Sequence, residues 1–171
     1  GVDTGDILAQ RAIPIGPEDT AGDLIDAIAG QGADLLIHTL RDLDNGRVTP
    51  RPQTDEQAVY APKLTRTLSA IRWDRDVVTV HNQIRALVPW PGTTTYLKDK
   101  VLKVNRARPL TYNGAAAAPG TVLGTGSDGV EVACGEGVLL LTGLQVPGRK
   151  PLEIDEFLRG FRITAGDVFT S

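Results

Sequence analysis

The strongest constraint on the fold lies after Gly92, where the sequence changes from helical to strand-like patterning. Residues 93–97 and 101–107 alternate apolar and polar side chains around Lys98-Asp99-Lys100, which predicts a β-hairpin. Turn sequences at 128–129 and 135–137 separate further short apolar segments at 121–123, 130–134 and 138–146. Five or six short strands with close turns, in about 60 residues, predict a small closed barrel of the oligonucleotide-binding (OB) type.

A long amphipathic helix is predicted well before these strands. Thr20 and Asp23 form a capping box at its start, and Asn45-Gly46 is a typical helix stop. Between them, leucine and isoleucine recur at helical spacing. His38 falls on this helix and is interpreted as a surface or structural residue, because a lone histidine is seldom a ligand.

Two shorter helices are also expected. One runs from about Arg75 to Leu87, with Asp74 as its N-cap and an apolar stripe of valine, isoleucine and leucine. His81 is expected to point away from this stripe into solvent. The other covers 153–158, and residues 161–169 are expected to form a closing segment.

The sequence begins with a polar turn, Asp3-Thr4-Gly5-Asp6, followed by apolar residues that predict a buried strand from Ile7 to Ile15. A polar turn next to a core strand normally lies within a protein chain and not at its start, and this chain contains no Met. We therefore expect the C-terminal piece of a longer enzyme, cut at the edge of its active site. An Asp on such a turn is more often a structural Asx-turn than a catalyst, so both interpretations stay open here.

The charge is distributed unevenly along the chain. Residues 1–56 hold 4 basic and 11 acidic residues, residues 57–112 hold 10 basic and 3 acidic, and residues 113–171 hold 4 and 7. The middle block, with a net charge of +7, predicts either a polyanionic partner or a complement to the acidic block within the same molecule.

Composition excludes several classes. No apolar run approaches the roughly 20 residues of a membrane span, and no signal-peptide pattern is present, so a cytoplasmic protein without a membrane partner is expected. The single Cys134 excludes an internal disulfide and is interpreted as a buried apolar residue. No metal-ligand cluster or phosphate loop is found in the sequence, so no metal is expected.

Seven short motifs occur in one order across the chain. They begin at Val2-Asp3-Thr4-Gly5-Asp6 and continue through Asp19-Thr20-Ala21-Gly22-Asp23, Thr49-Pro50-Arg51-Pro52-Gln53, Tyr60-Ala61-Pro62-Lys63-Leu64, Pro89-Trp90-Pro91-Gly92, Pro119-Gly120-Thr121-Val122-Leu123 and Pro147-Gly148-Arg149-Lys150-Pro151. In this order they closely resemble the methionyl-tRNA formyltransferase family. The family joins an N-terminal Rossmann-like formyl-transfer domain to a C-terminal barrel.

The resemblance implies a role for the first turn. Asp3 matches the acid of the family's Asn–His–Asp catalytic set, whose Asn and His lie upstream. Val2, Thr4, Gly5 and Asp6 would form part of the wall of the folate pocket. The implied co-substrate is formyl-tetrahydrofolate and the implied acceptor is initiator methionyl-tRNA, bound by a monomeric protein.

The predicted organisation follows from the pattern and the resemblance together. Residues 1–46 are the last strand and helix of the formyl-transfer domain, residues 47–70 are a proline-containing linker, and residues 71–171 are an OB-like tRNA-binding domain. The cations expected to contact tRNA are Lys63, Arg66, Arg85, Lys98, Lys100, Lys103, Arg106, Arg149 and Lys150.

Two alternatives remain open from the sequence. One is another folate-dependent formyltransferase or hydrolase that acts on a small-molecule acceptor. The other is a non-catalytic RNA-binding module whose α/β remnant is only a scaffold. If the chain does come from a formyltransferase, the fragment alone is expected to be catalytically inactive, because the Asn and His of the catalytic set are not in it.

Overall fold

A computed structural model describes residues 4–54 and 58–171. The backbone contacts divide the chain into two compact units, residues 1–63 (unit 1) and 64–171 (unit 2). Unit 1 contains helix α1, Ala21–Asp44. Unit 2 contains a short 3-10 turn at Arg66–Leu68 and the remaining helices and strands. No helix within the described residues is long and apolar enough to cross a membrane.

Helix α1 begins and ends where the sequence predicts. The Thr20 side chain accepts a hydrogen bond from the Asp23 N–H, and the Asp23 carboxylate accepts one from the Thr20 N–H. This reciprocal box satisfies two backbone donors that the first turn of a helix leaves unpaired. At the other end Gly46 takes a positive φ of 64°, the left-handed geometry in which glycine carries no Cβ penalty.

The strand predicted from Ile7 to Ile15 is wrong for this structure. Ile7 makes a single bridge to Arg51, and residues 8–16 form no strand. Leu8 and Ile15 are both exposed. An apolar run becomes a strand only where a neighbouring strand accepts its ladder of hydrogen bonds, and the described part of unit 1 offers one residue of such a ladder.

Unit 2 is built on one antiparallel sheet. Its strands are β1 (Thr93–Leu97), β2 (Lys100–Leu110), β3 (Val122–Gly126), β4 (Gly129–Ala133), β5 (Val138–Gln145) and β6 (Leu152–Glu153). The order is β1-β2-β5-β4-β3, with β6 paired to β5. The predicted hairpin at 98–99 is confirmed, since Lys98 and Asp99 both have positive φ, as a tight two-residue turn requires.

The closed barrel is not confirmed, because the strands at the two ends of the sheet, β1 and β3, do not pair with each other. The C-terminal segment, residues 168–170, instead makes one bridge near each end of the sheet. Thr170 bridges to Tyr96 of β1, and Val168 bridges to Thr121, just before β3. At Gly120, with a φ of 86°, a Cβ would collide with the carbonyl of Phe169. Glycine there lets this segment approach.

Helix α2 (Val77–Leu87) and helix α3 (Ile154–Gly160) complete unit 2. The N-cap of α2 is Asp76 and not the predicted Asp74: the Asp76 carboxylate accepts from the N–H of Thr79. The prediction that His81 faces solvent is also wrong, because its side chain is 5% exposed. Counted from Val77, His81 is four residues on, which places it on the same helix face as the buried residues.

The core of unit 2 lies between the inner face of the sheet and helices α2 and α3. Ile71, Val80, Leu102, Val130 and Leu141 are completely buried in it. The Phe169 ring stacks on Trp73 with centroids 5.7 Å apart, and the Trp73 indole N–H donates to Thr95 Oγ1. The last residues of the chain are thereby fixed to the centre of this unit.

Candidate functional site

The described part of the predicted folate turn is Thr4-Gly5-Asp6. Arg51 and Gln53 hydrogen-bond to this turn and to the residues that follow it. Gln53 Nε2 donates to the carbonyl of Gly5 at 2.7 Å. Ile7 and Arg51 exchange two backbone hydrogen bonds of 2.8 and 3.0 Å, and Arg51 Nη2 donates to Gln10 Oε1. A Cβ built on Gly5 would meet no atom of the described residues within 4 Å, so these residues leave one side of the turn open.

The remaining residues of this predicted site, Val2 and Asp3, lie outside the described residues. Within 4–54 and 58–171, no group of three or more His, Cys, Asp or Glu side chains could hold a metal ion. His38 is exposed on α1, and its Nδ1 lies 2.7 Å from the carbonyl of Asp34 one turn earlier.

Three of the cations predicted to contact tRNA are engaged by other side chains of unit 2. Lys98 Nζ lies 2.7 Å from Asp167, and Arg106 Nη1 lies 2.8 Å from Glu153. Lys100 Nζ lies 5.3 Å from the centre of the Phe161 ring, in cation–π geometry. The hydrogen bond from Lys98 and that from the Thr164 N–H hold the pKa of Asp167 below its usual value.

Three other predicted cations are brought near one another and have no ion pair within the described part of the chain. Lys103 on β2 lies opposite Gln145 on β5. The Gln145 side-chain amide donates to the carbonyl of Arg149 at 2.7 Å, and this fixes the exposed turn that carries Arg149 and Lys150. We call Lys103, Arg149 and Lys150 the unpaired cation group.

The other predicted cations lie on other elements of the chain. Arg85 is on α2, where its Nε donates to Asn82 Oδ1. Arg66 is exposed in the 3-10 turn, and Lys63 belongs to unit 1. A β-bulge at Asn105 and Arg106 interrupts the alternation of β2, so the sequence spacing alone could not place Arg106.

Sequence reasoning missed residues that position the functional side chains. Gln53 and Gln145 each hold a turn through one amide, and Asp167 and Glu153 neutralise two cations. The motif at 49–53 is a sequence signal for Gln53, although the pattern around it predicts a linker. Nothing in the local sequence pairs Lys98 with Asp167, because that contact joins segments 69 residues apart in the numbering.

A cleft of about 360 Å³ lies between the loop at 112–117 and the turn at 135–137, and Cys134 lines it. Burial, with a smaller contribution from the charge of Asp76, raises the pKa of the Cys134 thiol to about 12. The thiol therefore stays protonated at neutral pH and is a poor nucleophile. The interpretation of Cys134 as a buried apolar residue is confirmed.

Comparison with known proteins defines the class. Residues 63–162 match the family described as "Formyl transferase, C-terminal domain". This match covers more than half of the chain, and the chain belongs to the formyltransferase family.

Individual curated proteins and solved structures are also similar to this chain. A methionyl-tRNA formyltransferase of Clostridium novyi is 39% identical over 168 residues, which cover 98% of this chain and 54% of that protein. HypX of Aquifex aeolicus in complex with tetrahydrofolic acid shares the fold with a TM-score of 0.66 at 20% identity, covering 97% of this chain and 31% of that one. An N-formyltransferase of Helicobacter canadensis, in complex with folinic acid and dTDP-3-aminofucose, has a TM-score of 0.61 at 19% identity, covering 82% and 51%.

The family resemblance stated from the motifs is confirmed. The chain spans about half the length of the curated relatives it matches. The two structural likenesses, both at about 20% identity, concern the fold alone.

Proposed function

We propose that this chain is part of a cytoplasmic methionyl-tRNA formyltransferase. The enzyme would transfer the formyl group of formyl-tetrahydrofolate to the α-amine of methionine on initiator tRNA. One observation carries the proposal: the 39% identity to a methionyl-tRNA formyltransferase extends over 98% of this chain, through both units.

In the proposed reaction, the amine of the methionyl group attacks the formyl carbon and the carbonyl oxygen becomes an oxyanion. When this intermediate collapses, the bond between the formyl carbon and the tetrahydrofolate nitrogen breaks, and that nitrogen takes up the proton that the amine loses, so tetrahydrofolate leaves. The family's Asn and a protonated His would stabilise this oxyanion, and Asp3 would keep the His charged. Thr4, Gly5 and Asp6, held by Gln53, would line the folate pocket with Val2. Because Asp3 is one member of a set that acts as a unit, the 171-residue chain alone should be inactive.

The surface of unit 1 supports its assignment to a larger formyl-transfer domain. Among its described residues none is buried. Helix α1 exposes one continuous apolar stripe along its length, made of Ile25, Ile28, Leu36, Leu40 and Leu43, each at least 48% exposed. Such a stripe normally packs against a core. We assign residues 1–46 to that domain and residues 47–70 to the linker.

Unit 2 would supply the affinity for tRNA. Residues 71–171 carry the sheet, which the C-terminal segment would complete as an OB-type barrel by its bridges to Tyr96 and Thr121. The unpaired cation group would contact phosphates first, because its charges have no internal partner among the described residues. Lys98, Lys100 and Arg106 would contribute less, since each must leave a partner before it can bind a phosphate.

An assay that compares acceptors, the acceptor assay, tests this proposal. The alternative is another folate-dependent formyltransferase or hydrolase that acts on a small-molecule acceptor. The longer protein that contains this chain would be supplied with formyl-tetrahydrofolate and, separately, methionyl initiator tRNA, a nucleotide-linked amino sugar, or water alone. The proposal expects formylation of the methionyl-tRNA and little turnover of the other two. Preferential formylation of the amino sugar, or uncoupled hydrolysis, would overturn the assignment of the acceptor.

The same assay separates the second rival, a non-catalytic RNA-binding module. That rival expects binding of tRNA without formyl transfer by the longer protein. The 171-residue chain serves as the matched control, for which no formylation above background is expected. Turnover by this chain would contradict the requirement for the family's Asn and His.

A further inference from the structure

One face of the sheet in unit 2 carries an exposed aromatic side chain that takes no part in the proposed phosphate contacts. Tyr96 lies on β1, with Thr95 and Leu97 buried on either side of it, and is itself 45% exposed. Strand alternation therefore directs the ring to the face opposite the core. No hydrogen bond or ring contact of its side chain to a described residue is found.

The neighbours of Tyr96 on this face follow from the strand register. Val101 lies directly opposite on β2, and Thr170 lies opposite on the C-terminal segment. Lys103 is diagonal to the ring, paired with Thr94, and within the range that long side chains span between diagonal positions. We call Thr94, Tyr96, Val101, Lys103 and Thr170 the Tyr96 face.

We infer that the Tyr96 face binds single-stranded RNA by stacking an unpaired base on the Tyr96 ring while Lys103 contacts the adjoining phosphate. This inference rests on the proposed function and specifies which part of the RNA the face recognises. Many RNA-binding modules bind unpaired bases with an aromatic ring beside an unpaired cation on a solvent-exposed sheet face.

The charges near this face favour a nucleic acid as the occupant. The block from 57 to 112, which includes β1 and β2, has a net charge of +7. The nearby carboxylate of Asp167 is paired with Lys98, and the unpaired cation group continues from Lys103 through Gln145 to Arg149. The ring itself contributes an uncharged interaction, so its effect can be separated from that of the cations.

The test measures RNA binding by the 171-residue chain and its variants across a salt series. The probes are fluorescently labelled heptaadenylate, a blunt 12-base-pair RNA duplex and initiator tRNA. Tyr96→Ala should weaken heptaadenylate binding roughly 5- to 100-fold, leave the salt slope unchanged and barely affect the duplex. Tyr96→Phe should bind within about twofold of the parent chain, because the ring is retained.

Tyr112→Ala is the matched control, since Tyr112 is a partly exposed tyrosine of the same unit and lines the separate Cys134 cleft. Its affinity for heptaadenylate should stay within about twofold. If Tyr96→Ala does not fold, Tyr96→Trp decides the question. The fluorescence of the added indole, taken as the difference from the parent chain, should be quenched by heptaadenylate.

The inference is overturned if a folded Tyr96→Ala chain binds heptaadenylate as well as the parent does, or if the fluorescence of the added indole does not respond. In that case unchanged tRNA binding by the same variants would leave the proposed function standing. Failure of the parent chain to bind tRNA at all would overturn the inference and the assignment of tRNA affinity to unit 2, whereas the acceptor assay on the longer protein would still decide the proposed function. Loss of duplex binding equal to the loss of heptaadenylate binding would show a general surface and contradict stacking.

Discussion

The two units of this chain differ in whether they bury apolar side chains. Unit 2 encloses a core in which Leu102, Leu141 and Phe169 are at most 1% exposed, whereas the described part of unit 1 contains no buried residue. Helix α1 nevertheless runs for 24 residues, with a complete capping box. Local signals therefore specify where a helix begins and ends, while its stability ordinarily comes from packing of the apolar face.

The units also differ in chemistry. Unit 1 contributes a polar turn whose neighbours are a glutamine and a bridge to Arg51, and unit 2 contributes cations and an exposed aromatic ring. On the proposed function, formyl transfer belongs to the region of unit 1 and tRNA affinity belongs to unit 2.

Asp3→Asn in the longer protein should lower kcat by about three orders of magnitude. The amide is nearly isosteric with the carboxylate but has no charge to keep the His of the proposed catalytic set protonated. The dissociation constant for tRNA should stay within about twofold, because unit 2 is untouched. Steady-state kinetics and tRNA binding on the same preparation check both parts. Activity close to that of the parent would support the structural Asx-turn.

Phe169→Ala in the 171-residue chain should lower the free energy of unfolding by about 3–5 kcal/mol. The ring is 1% exposed and stacks on Trp73, so its removal leaves a cavity and frees the C-terminal segment. Leu40→Ala on α1 is the matched control and should change it by less than about 0.5 kcal/mol. Chemical denaturation measures both. Equal losses would contradict the contrast between the units.

Loss of a helix cap should have a different signature in each unit. Asp76→Ala removes the N-cap of α2 and should lower the free energy of unfolding of unit 2 by about 1 kcal/mol. Thr20→Ala removes the cap of α1 and should reduce helical circular dichroism without moving the main unfolding transition. A shift of that transition by Thr20→Ala would mean that α1 is part of the same cooperative unit.

The Lys98–Asp167 pair should make unit 2 more stable at neutral than at acid pH. The pKa of Asp167 is lowered in the folded state, so its contribution is present above the unfolded value and is lost as pH falls through the folded value. Asp167→Asn should therefore lower Tm near pH 7, and the difference from the parent should shrink toward about pH 2–3. A difference that is constant over this range would exclude the carboxylate charge as its cause.

Much of the architecture was predictable from local signals. The capping box at Thr20, the stop at Gly46 and the turn at Lys98-Asp99 each depend on only a few neighbouring residues, and all three are confirmed. The burial of His81 was also readable, since its spacing from Val77 places it on the buried face.

The failures at longer range have a physical cause. Whether the apolar run from Ile7 forms a strand depends on a partner strand, and whether the sheet closes depends on where the C-terminal segment lies. The partners of Lys98 and Arg106 come from segments distant in sequence. No local pattern specifies these contacts, so the sequence predicted the cations but could not show which remain unpaired.

The salt dependence of tRNA binding tests the central division most directly. Replacing the unpaired cation group, as Lys103→Gln, Arg149→Gln and Lys150→Gln together, should weaken binding of initiator tRNA by the 171-residue chain. It should also reduce the slope of log K against log salt by roughly two to three units, about 0.9 for each lost phosphate contact. The control variant, Lys98→Gln with Arg106→Gln, should reduce it by less than about one unit. An unchanged slope in the triple variant would contradict the assignment of tRNA affinity to unit 2.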